Sequence, residues 1–204
     1  MIIKNILRIF KDYRLSIILV LLYEIFYIFK GYKGNTFNFS KNNKMSDDIP
    51  TPFYFLSHIK NYLQINRFNR FIDLGCGSGR VIFFLYRFFQ NKKYVGVEYY
   101  SKQYDFTKNL FKSKKNITIL NKDFTYINFL KYNADCYFFN NPFKSERVFI
   151  SFINKLISRL KGKKNITFIF VNFHRSSLLK INDLTEVFSL HLSPNKGLSI
   201  YKLN

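Results

Sequence analysis

The segment that most constrains this chain is residues 71–80, which read Phe-Ile-Asp-Leu-Gly-Cys-Gly-Ser-Gly-Arg. An apolar run ends at Asp73, glycines follow at positions 75, 77 and 79, and an apolar stretch typical of a helix begins after them. Glycine allows close approach of backbone to a ligand, and a helix N-terminus offers free N–H groups. The segment therefore predicts a strand, a tight turn and a helix that cradle a nucleotide-like ligand.

The glycine spacing disfavours dinucleotide cofactors. The dinucleotide fingerprint is G-x-G-x-x-G. Arg80 occupies the position of its third glycine, so the sequence disfavours a nicotinamide- or flavin-dinucleotide enzyme.

Strand-like and helix-like segments alternate from residue 50 onward. Strands are predicted over residues 70–74, 94–98, 117–120, 135–139, 166–171, 184–192 and 197–203. Helices are predicted over residues 51–65, 80–89, 101–112 and 146–160, with Ser101 as an N-cap. This alternation indicates an α/β fold with a doubly wound, seven-stranded, mostly parallel sheet and a C-terminal antiparallel hairpin.

Glu98 ends the second predicted strand, 25 positions after Asp73. In a doubly wound sheet, ligands bind at the carboxyl ends of the strands. A carboxylate there offers two acceptor oxygens to the vicinal hydroxyls of a ribose. Glu98 is therefore predicted to bind a ribose.

Residues 1–34 differ from the rest of the chain. Residues 15–29 are apolar apart from Ser16 and Glu24, and basic residues flank this run: Lys4, Arg8, Lys11, Arg14, Lys30 and Lys33. A bilayer-spanning helix needs about 20 apolar residues. Three interpretations stay open: an interfacial membrane helix, a helix packed on the following domain, or a marginal membrane anchor. Residues 35–49 are polar and predict a linker to a domain over residues 50–204.

The formal net charge of +21 has two explanations. It favours nucleic acid, an anionic membrane or an acidic partner. It also fits the codon bias that enriches Lys, Asn, Ile, Phe and Tyr. Cys76 and Cys136 lack metal-site or disulfide-scaffold spacing, which indicates a reducing compartment. The three histidines show no metal-ligand spacing, so no metal is predicted.

Four motifs resemble class I S-adenosylmethionine (SAM)-dependent methyltransferases, in particular a group of small bacterial enzymes, many without an assigned substrate. The motifs are Pro-Thr-Pro at 50–52, Asp-Leu-Gly-Cys-Gly-Ser-Gly-Arg at 73–80, Val-Gly-Val-Glu at 95–98 and Asn-Pro-Phe at 141–143. The resemblance covers residues 50–204 and implies the Rossmann-like methyltransferase fold with SAM as cofactor.

The resemblance also implies the site. Its cofactor residues are Asp73, Gly75, Cys76, Gly77, Gly79, Glu98, Tyr99, Asp123, Phe124 and Asn141. Asp123 would meet the adenine amine, with Phe124 against the ring, and Cys76 is a small spacer in the turn. Asn141, Pro142 and Phe143 would form the catalytic motif that positions the acceptor. The two-proline form found in many amino-group methyltransferases is absent, which weakens an assignment to nucleobase methylation. An Asn-Pro turn without a catalytic role stays open as the alternative.

The resulting hypothesis is methyl transfer from SAM to an unidentified protein side chain, saccharide or small molecule. An RNA or DNA methyltransferase and a non-catalytic SAM-binding protein stay open as alternatives. The expected location is cytoplasmic, with attachment to the inner membrane through residues 1–34 as an open option.

Overall fold

The computed structural model describes residues 17–31, 50–143, 145–173, 175–193 and 196–204. Its helices are α1 (Ile17–Phe29), α2 (Phe53–Ile65), α3 (Arg80–Tyr86), α4 (Ser101–Leu110), α5 (Phe129–Tyr132), α6 (Glu146–Leu160) and α7 (Arg175–Leu178). Its strands are β1 (Arg70–Leu74), β2 (Lys93–Glu98), β3 (Ile117–Asn121), β4 (Cys136–Asn140), β5 (Thr167–Val171), β6 (Leu184–Ser193) and β7 (Lys196–Leu203). A 3₁₀ turn covers Phe124–Tyr126.

The seven strands form one sheet in the order β3-β2-β1-β4-β5-β7-β6. Neighbours from β3 through β5 are parallel, whereas β7 pairs antiparallel with both β5 and β6. The predicted doubly wound sheet with a C-terminal antiparallel hairpin is thus confirmed. The chain order reverses between β1 and β4, which are neighbours at the centre of the sheet. Ligands bind beyond the carboxyl ends of strands at such a switch point.

Two hydrophobic cores lie on opposite faces of the sheet. Successive side chains of a strand point to opposite faces, so Phe71 of β1 packs in one core and Ile72 in the other. Helices α2 and α3 contribute buried side chains to the first core, and α6 contributes buried side chains to the second. The chain has 26 phenylalanines and 15 tyrosines, and both cores are rich in these residues.

Helix α1 packs against the sheet domain. Ile17, Val20 and Tyr27 are buried. The Tyr27 ring lies 5.1 Å from the rings of both Phe53 and Phe84, measured between centroids. None of the helices in the described ranges is long and apolar enough to cross a membrane. The predicted linker over residues 35–49 lies outside those ranges.

Several predicted boundaries were wrong by a few residues. Helix α2 starts at Phe53 instead of residue 51, because a residue that precedes a proline, as Thr51 precedes Pro52, is disfavoured in the helical conformation. The Phe53 N–H donates to the Glu24 carboxylate across 2.8 Å. Helix α3 ends at Tyr86, and the next residues form tighter turns, as in the 3.3 Å bond from the Arg87 N–H to the Phe84 carbonyl. Ser101 was predicted as the N-cap of α4, but it is the first residue of the helix, and Tyr100 is the N-cap.

Candidate cofactor and acceptor site

The glycine turn between β1 and α3 is fixed to the neighbouring strand. Gly75, Gly77 and Gly79 all have positive φ, at 89°, 50° and 79°. The N–H groups of Gly75 and Cys76 both donate to the Val97 carbonyl, at 2.9 and 3.0 Å. Residues other than glycine are strained at these φ values. The three glycines are therefore a requirement of this turn.

Gly79 and Gly75 differ in what an added side chain would contact. A Cβ on Gly79 would lie 2.8 Å from side-chain atoms of both Thr107 and Phe111, so close packing excludes it. A Cβ on Gly75 would meet only the Cβ of Pro142, at 3.9 Å. Gly75 thus faces open space at the carboxyl edge of the sheet, which is the expected arrangement where a ligand passes close to the backbone.

Cys76 points beneath the turn. Its side chain is 6% exposed and carries a reduced thiol. The sulfur would lie 2.8 Å from a Cβ placed on Gly96 of β2. The structure therefore places Cys76 as a packing residue that holds the turn against β2.

Asp73 lies directly below the turn, is 1% exposed, and its Oδ2 has no hydrogen-bond partner among the described residues. Burial raises the pKa of this carboxyl well above its ordinary value, and the nearby Glu98 raises the pKa further. A buried polar atom without a partner is energetically costly. Such an atom beside an open cradle fits a ligand that brings a hydrogen-bond donor or a positive charge, as SAM does.

Glu98 is 5% exposed and holds the turn from the other side. Its two carboxylate oxygens accept the N–H groups of Gly77 and Tyr100, each at 2.8 Å. A carboxylate oxygen can accept more than one hydrogen bond, so these two bonds do not preclude a further bond from a ribose hydroxyl. Sequence reasoning predicted the ribose role alone and missed that Glu98 also orders the glycine turn.

Three further residues predicted to bind the cofactor follow β2 and β3. Tyr99 is 49% exposed, immediately after Glu98. Asp123 accepts from the Thr125 N–H at 2.8 Å and the Thr125 hydroxyl at 2.7 Å, and it thereby caps the 3₁₀ turn. Phe124 is 2% exposed, so its ring is largely enclosed by protein.

The Asn-Pro-Phe motif follows β4 and faces the glycine turn through Pro142. Asn141 has a φ of 38°, which is a left-handed conformation that asparagine tolerates better than most residues. The Phe143 ring packs against Phe124 at 5.4 Å and Phe152 at 5.6 Å between centroids. Asn141 and Pro142 therefore lie closer to the cradle than the Phe143 ring, which belongs to the second core.

Sequence reasoning missed Asn172, which directly follows β5. It has a φ of 61°, is 6% exposed, and donates from Nδ2 to the Asn140 Oδ1 at 2.9 Å. Its own Oδ1 is buried and has no partner among the described residues. The sequence signal that could have identified Asn172 was an asparagine directly after a predicted strand. The site therefore carries a second unsatisfied acceptor, beside the Asn-Pro-Phe motif.

Arg80 is the first residue of α3 and contacts the N-terminal helix. Its guanidinium pairs with Glu24 of α1, and its central carbon lies 3.9 Å from the centroid of the Phe53 ring. Because Glu24 also accepts the Phe53 N–H, one carboxylate joins α1, α2 and the start of α3. The N-terminal helix is thus connected to the glycine turn.

We expect Glu24→Gln to lower the free energy of unfolding by about 2 kcal/mol, because it leaves the Arg80 guanidinium without its counter-charge. The side chains of the pair are 11% and 23% exposed, so solvent compensates only in part. Glu146→Gln is the matched control, since its pair with Lys180 is 48% and 65% exposed and should contribute less than about 0.5 kcal/mol. Urea denaturation measures both; equal losses in the two variants would contradict this account.

The remaining titratable candidates lie elsewhere. Cys136 is free and buried in β4. His58 stacks on Phe188, and His191 contacts the Ser199 hydroxyl at 3.1 Å. His174 lies outside the described residues. The described part of the chain contains no cluster of three His, Cys, Asp or Glu side chains that could hold a metal ion.

Comparison with known proteins agrees with this geometry. The profile of a family described as a methyltransferase domain matches residues 71–163, the segment from the glycine turn to the end of α6. No curated protein sequence matches the chain.

Solved structures of methyltransferases share the fold at low sequence identity. One is an N,N-8-amino-8-demethyl-D-riboflavin dimethyltransferase from Streptomyces davawensis, with 11% identity, a TM-score of 0.60, and coverage of 74% of this chain and 54% of that one. A second is a methyltransferase from Podospora anserina with bound S-adenosylhomocysteine (SAH), with 13% identity, a TM-score of 0.59, and coverage of 76% and 80%.

A third is an RNA methyltransferase from Salinibacter ruber in complex with SAH, with 13% identity, a TM-score of 0.57, and coverage of 76% and 94%. This chain spans about half the length of the Streptomyces enzyme. The fold is therefore that of class I SAM-dependent methyltransferases, residues 71–163 match a methyltransferase-domain family, and the cofactor that the match implies is SAM.

Proposed function

We propose that this chain transfers a methyl group from SAM to an oxygen or nitrogen atom of a protein side chain, a saccharide or a small molecule. The observation that carries the proposal is the unsatisfied Asp73 Oδ2, buried beneath a glycine turn that is open at Gly75. A fold without a ligand would gain stability from a partner or an apolar residue at this position. The retained carboxylate is explained by a cationic, hydrogen-bonding cofactor.

Different residues would bind each part of SAM. Asp73 would take the donors of the methionine part, while the chain at Gly75 and Gly77 would pass beneath it. Glu98 would accept from the ribose hydroxyls, as the spacing predicts. The adenine would contact Tyr99, Asp123 and Phe124.

The acceptor would approach from the side of Asn141 and Pro142, because Pro142 is the residue that faces Gly75. When bound, SAM would supply an electrophilic methyl carbon on a cationic sulfur, and its transfer to the acceptor would leave the electron pair of the broken carbon–sulfur bond on sulfur. An asparagine has no useful basicity, so Asn141 would orient the acceptor by hydrogen bonding. Rate enhancement would come mainly from alignment of the two reactants, and the acceptor proton would pass to water.

The experiment is to incubate the protein with methyl-tritiated SAM and separated protein, saccharide and metabolite fractions of the source cell. We expect label transfer to one fraction. Asn141→Gly should slow the transfer about tenfold with little change in SAM affinity, because a neutral hydrogen bond is lost. Glycine accepts the left-handed φ of 38° at this position, so the backbone is preserved. A protein that binds SAM but labels no fraction would instead be a non-catalytic SAM-binding protein.

Nucleic acid is a second candidate acceptor. The net charge of +21 favours attraction to phosphates, and one structure with the same fold is named an RNA methyltransferase. The labelling experiment discriminates between the two candidates when the RNA and DNA fractions are included. Label that nuclease treatment removes, with binding that weakens steeply as salt rises, would favour this candidate over the first.

A further inference from the structure

Helix α1 has two different faces. The inner face contains the buried Ile17, Val20 and Tyr27 and the paired Glu24. The outer face consists of large apolar side chains that are each at least 47% exposed: Ile18, Leu19, Leu21, Leu22, Ile25, Phe26, Ile28 and Phe29. Glu24 is the only charged residue within the helix, so the outer face is entirely uncharged.

This face is unusual for the surface of a folded domain. Eight of the 18 large hydrophobic side chains that are exposed in the described ranges lie on this one helix of 13 residues. Single exposed hydrophobic residues need no explanation, but a contiguous patch marks an interaction site. The outer face of α1 is therefore a candidate contact surface.

Positive charges border the C-terminal end of this face. The Lys30 ammonium lies 4.4 Å from the centroid of the Phe26 ring. Arg87 is exposed and contacts the Lys30 carbonyl, and the Lys60 ammonium lies 5.2 Å from the ring of the exposed Phe88. An uncharged apolar face bordered by cations is typical of helices that lie in the surface of an anionic bilayer.

We propose that the outer face of α1 inserts into the interfacial layer of an anionic lipid bilayer, with Lys30, Lys60 and Arg87 at the lipid headgroups. A second copy of the chain fits this face less well, because both copies carry a formal charge of +21 and repel each other. Because Glu24 on the inner face pairs with Arg80, the attachment holds the glycine turn near the bilayer. The proposal does not depend on methyl transfer, and its test uses no cofactor.

The chain contains no tryptophan, so one introduced tryptophan is an unambiguous fluorescent reporter. Phe29→Trp places it on the outer face at a position 87% exposed, and Tyr126→Trp places the control at a position 88% exposed outside α1. With vesicles that contain phosphatidylglycerol and brominated phosphatidylcholine, we expect blue-shifted, quenched emission from Phe29→Trp alone. Equal responses of the two variants, or no response from either, would overturn the proposal.

Co-sedimentation with the same vesicles, without the brominated lipid, tests the contribution of the face and of charge. We expect Leu22→Glu to lower the apparent affinity at least about tenfold, because a charge on the apolar face is costly to bury. Leu179→Glu, at a comparably exposed leucine outside α1, should leave the affinity unchanged. Binding should also weaken in about 0.5 M salt and on pure phosphatidylcholine. Equal effects of the two variants, or equal binding to neutral vesicles, would overturn the proposal.

The fluorescence emission of Phe29→Trp before lipid is added tests whether another protein segment or a second copy of the chain covers the outer face of α1. We expect emission typical of a solvent-exposed indole at every protein concentration. A blue shift that grows with concentration, together with a dimer in sedimentation velocity, would assign the face to a second copy. A blue shift independent of concentration would assign it to another segment of this chain. Either result would overturn the proposal.

Discussion

Asp73→Asn is expected to raise the melting temperature of the cofactor-free protein at neutral pH while weakening SAM binding on the order of 100-fold. Asp73 is 1% exposed, and burial and Glu98 raise its pKa well above the ordinary value of 3.8. The folded state therefore binds this proton more tightly than the unfolded chain does. Asparagine is close in size to aspartic acid and cannot ionise, so it removes the cost of a buried carboxylate.

The sign of the pH dependence follows from the raised pKa. The favourable contribution of protonated Asp73 is fully present below the unfolded pKa and is lost as pH rises through the folded pKa. The stability advantage of Asp73→Asn should therefore be small at acidic pH and grow toward pH 8. Differential scanning fluorimetry between pH 5 and pH 8, without cofactor, measures this difference.

Asp135→Asn is the contrasting control for Asp73→Asn. The Asp135 carboxylate accepts the N–H groups of Asn69 and Arg70 at 2.8 and 3.0 Å, at the opposite end of the sheet. This variant should lose stability and keep its SAM affinity. An Asp73→Asn protein that is less stable than wild type at pH 8, or that binds SAM normally, would contradict the role assigned to Asp73.

Gly75→Ala is expected to weaken SAM binding on the order of 100-fold, because the added Cβ occupies the space where the cofactor approaches the backbone. Gly162→Ala is a closely matched control. The two glycines have φ values of 89° and 84°, and a Cβ on Gly162 would meet no atom within 4 Å. Each substitution should therefore lower the free energy of unfolding by a similar amount, about 1–2 kcal/mol, from backbone strain.

Urea denaturation and SAM titration on the same two proteins separate strain from ligand contact. We expect similar losses of stability and a loss of affinity in Gly75→Ala only. Equal SAM affinity in the two variants would show that the cofactor does not pass over Gly75. The cofactor site would then lie elsewhere on the protein.

The sheet and the glycine turn could be predicted because their signals are local in sequence. Alternating apolar segments fixed the seven strands, and three glycines at alternate positions fixed the turn. The spacing of Asp73 and Glu98 predicted two carboxylates at the ends of neighbouring strands, and β1 and β2 are indeed paired in parallel. Each of these inferences used residues within one or two adjacent elements.

The features that sequence reasoning missed depend on contacts between distant residues. Glu24 and Arg80 are 56 positions apart, and their pairing requires α1 to pack beside the turn. Asn140 and Asn172 are 32 positions apart and meet because β4 and β5 are neighbours. The Phe143 ring joins the second core because Phe124 and Phe152 are there, which no local pattern predicts. Side-chain partners of this kind follow from tertiary packing and not from periodicity.

The decisive measurement for the cofactor site is a calorimetric titration of SAM and of SAH into the purified protein, with NAD as the control ligand. We expect one binding site per chain with micromolar affinity for both ligands, no binding of NAD, and loss of the signal in Gly75→Ala but not in Gly162→Ala. If neither SAM nor SAH binds to a protein that remains folded, the glycine turn is not a SAM site.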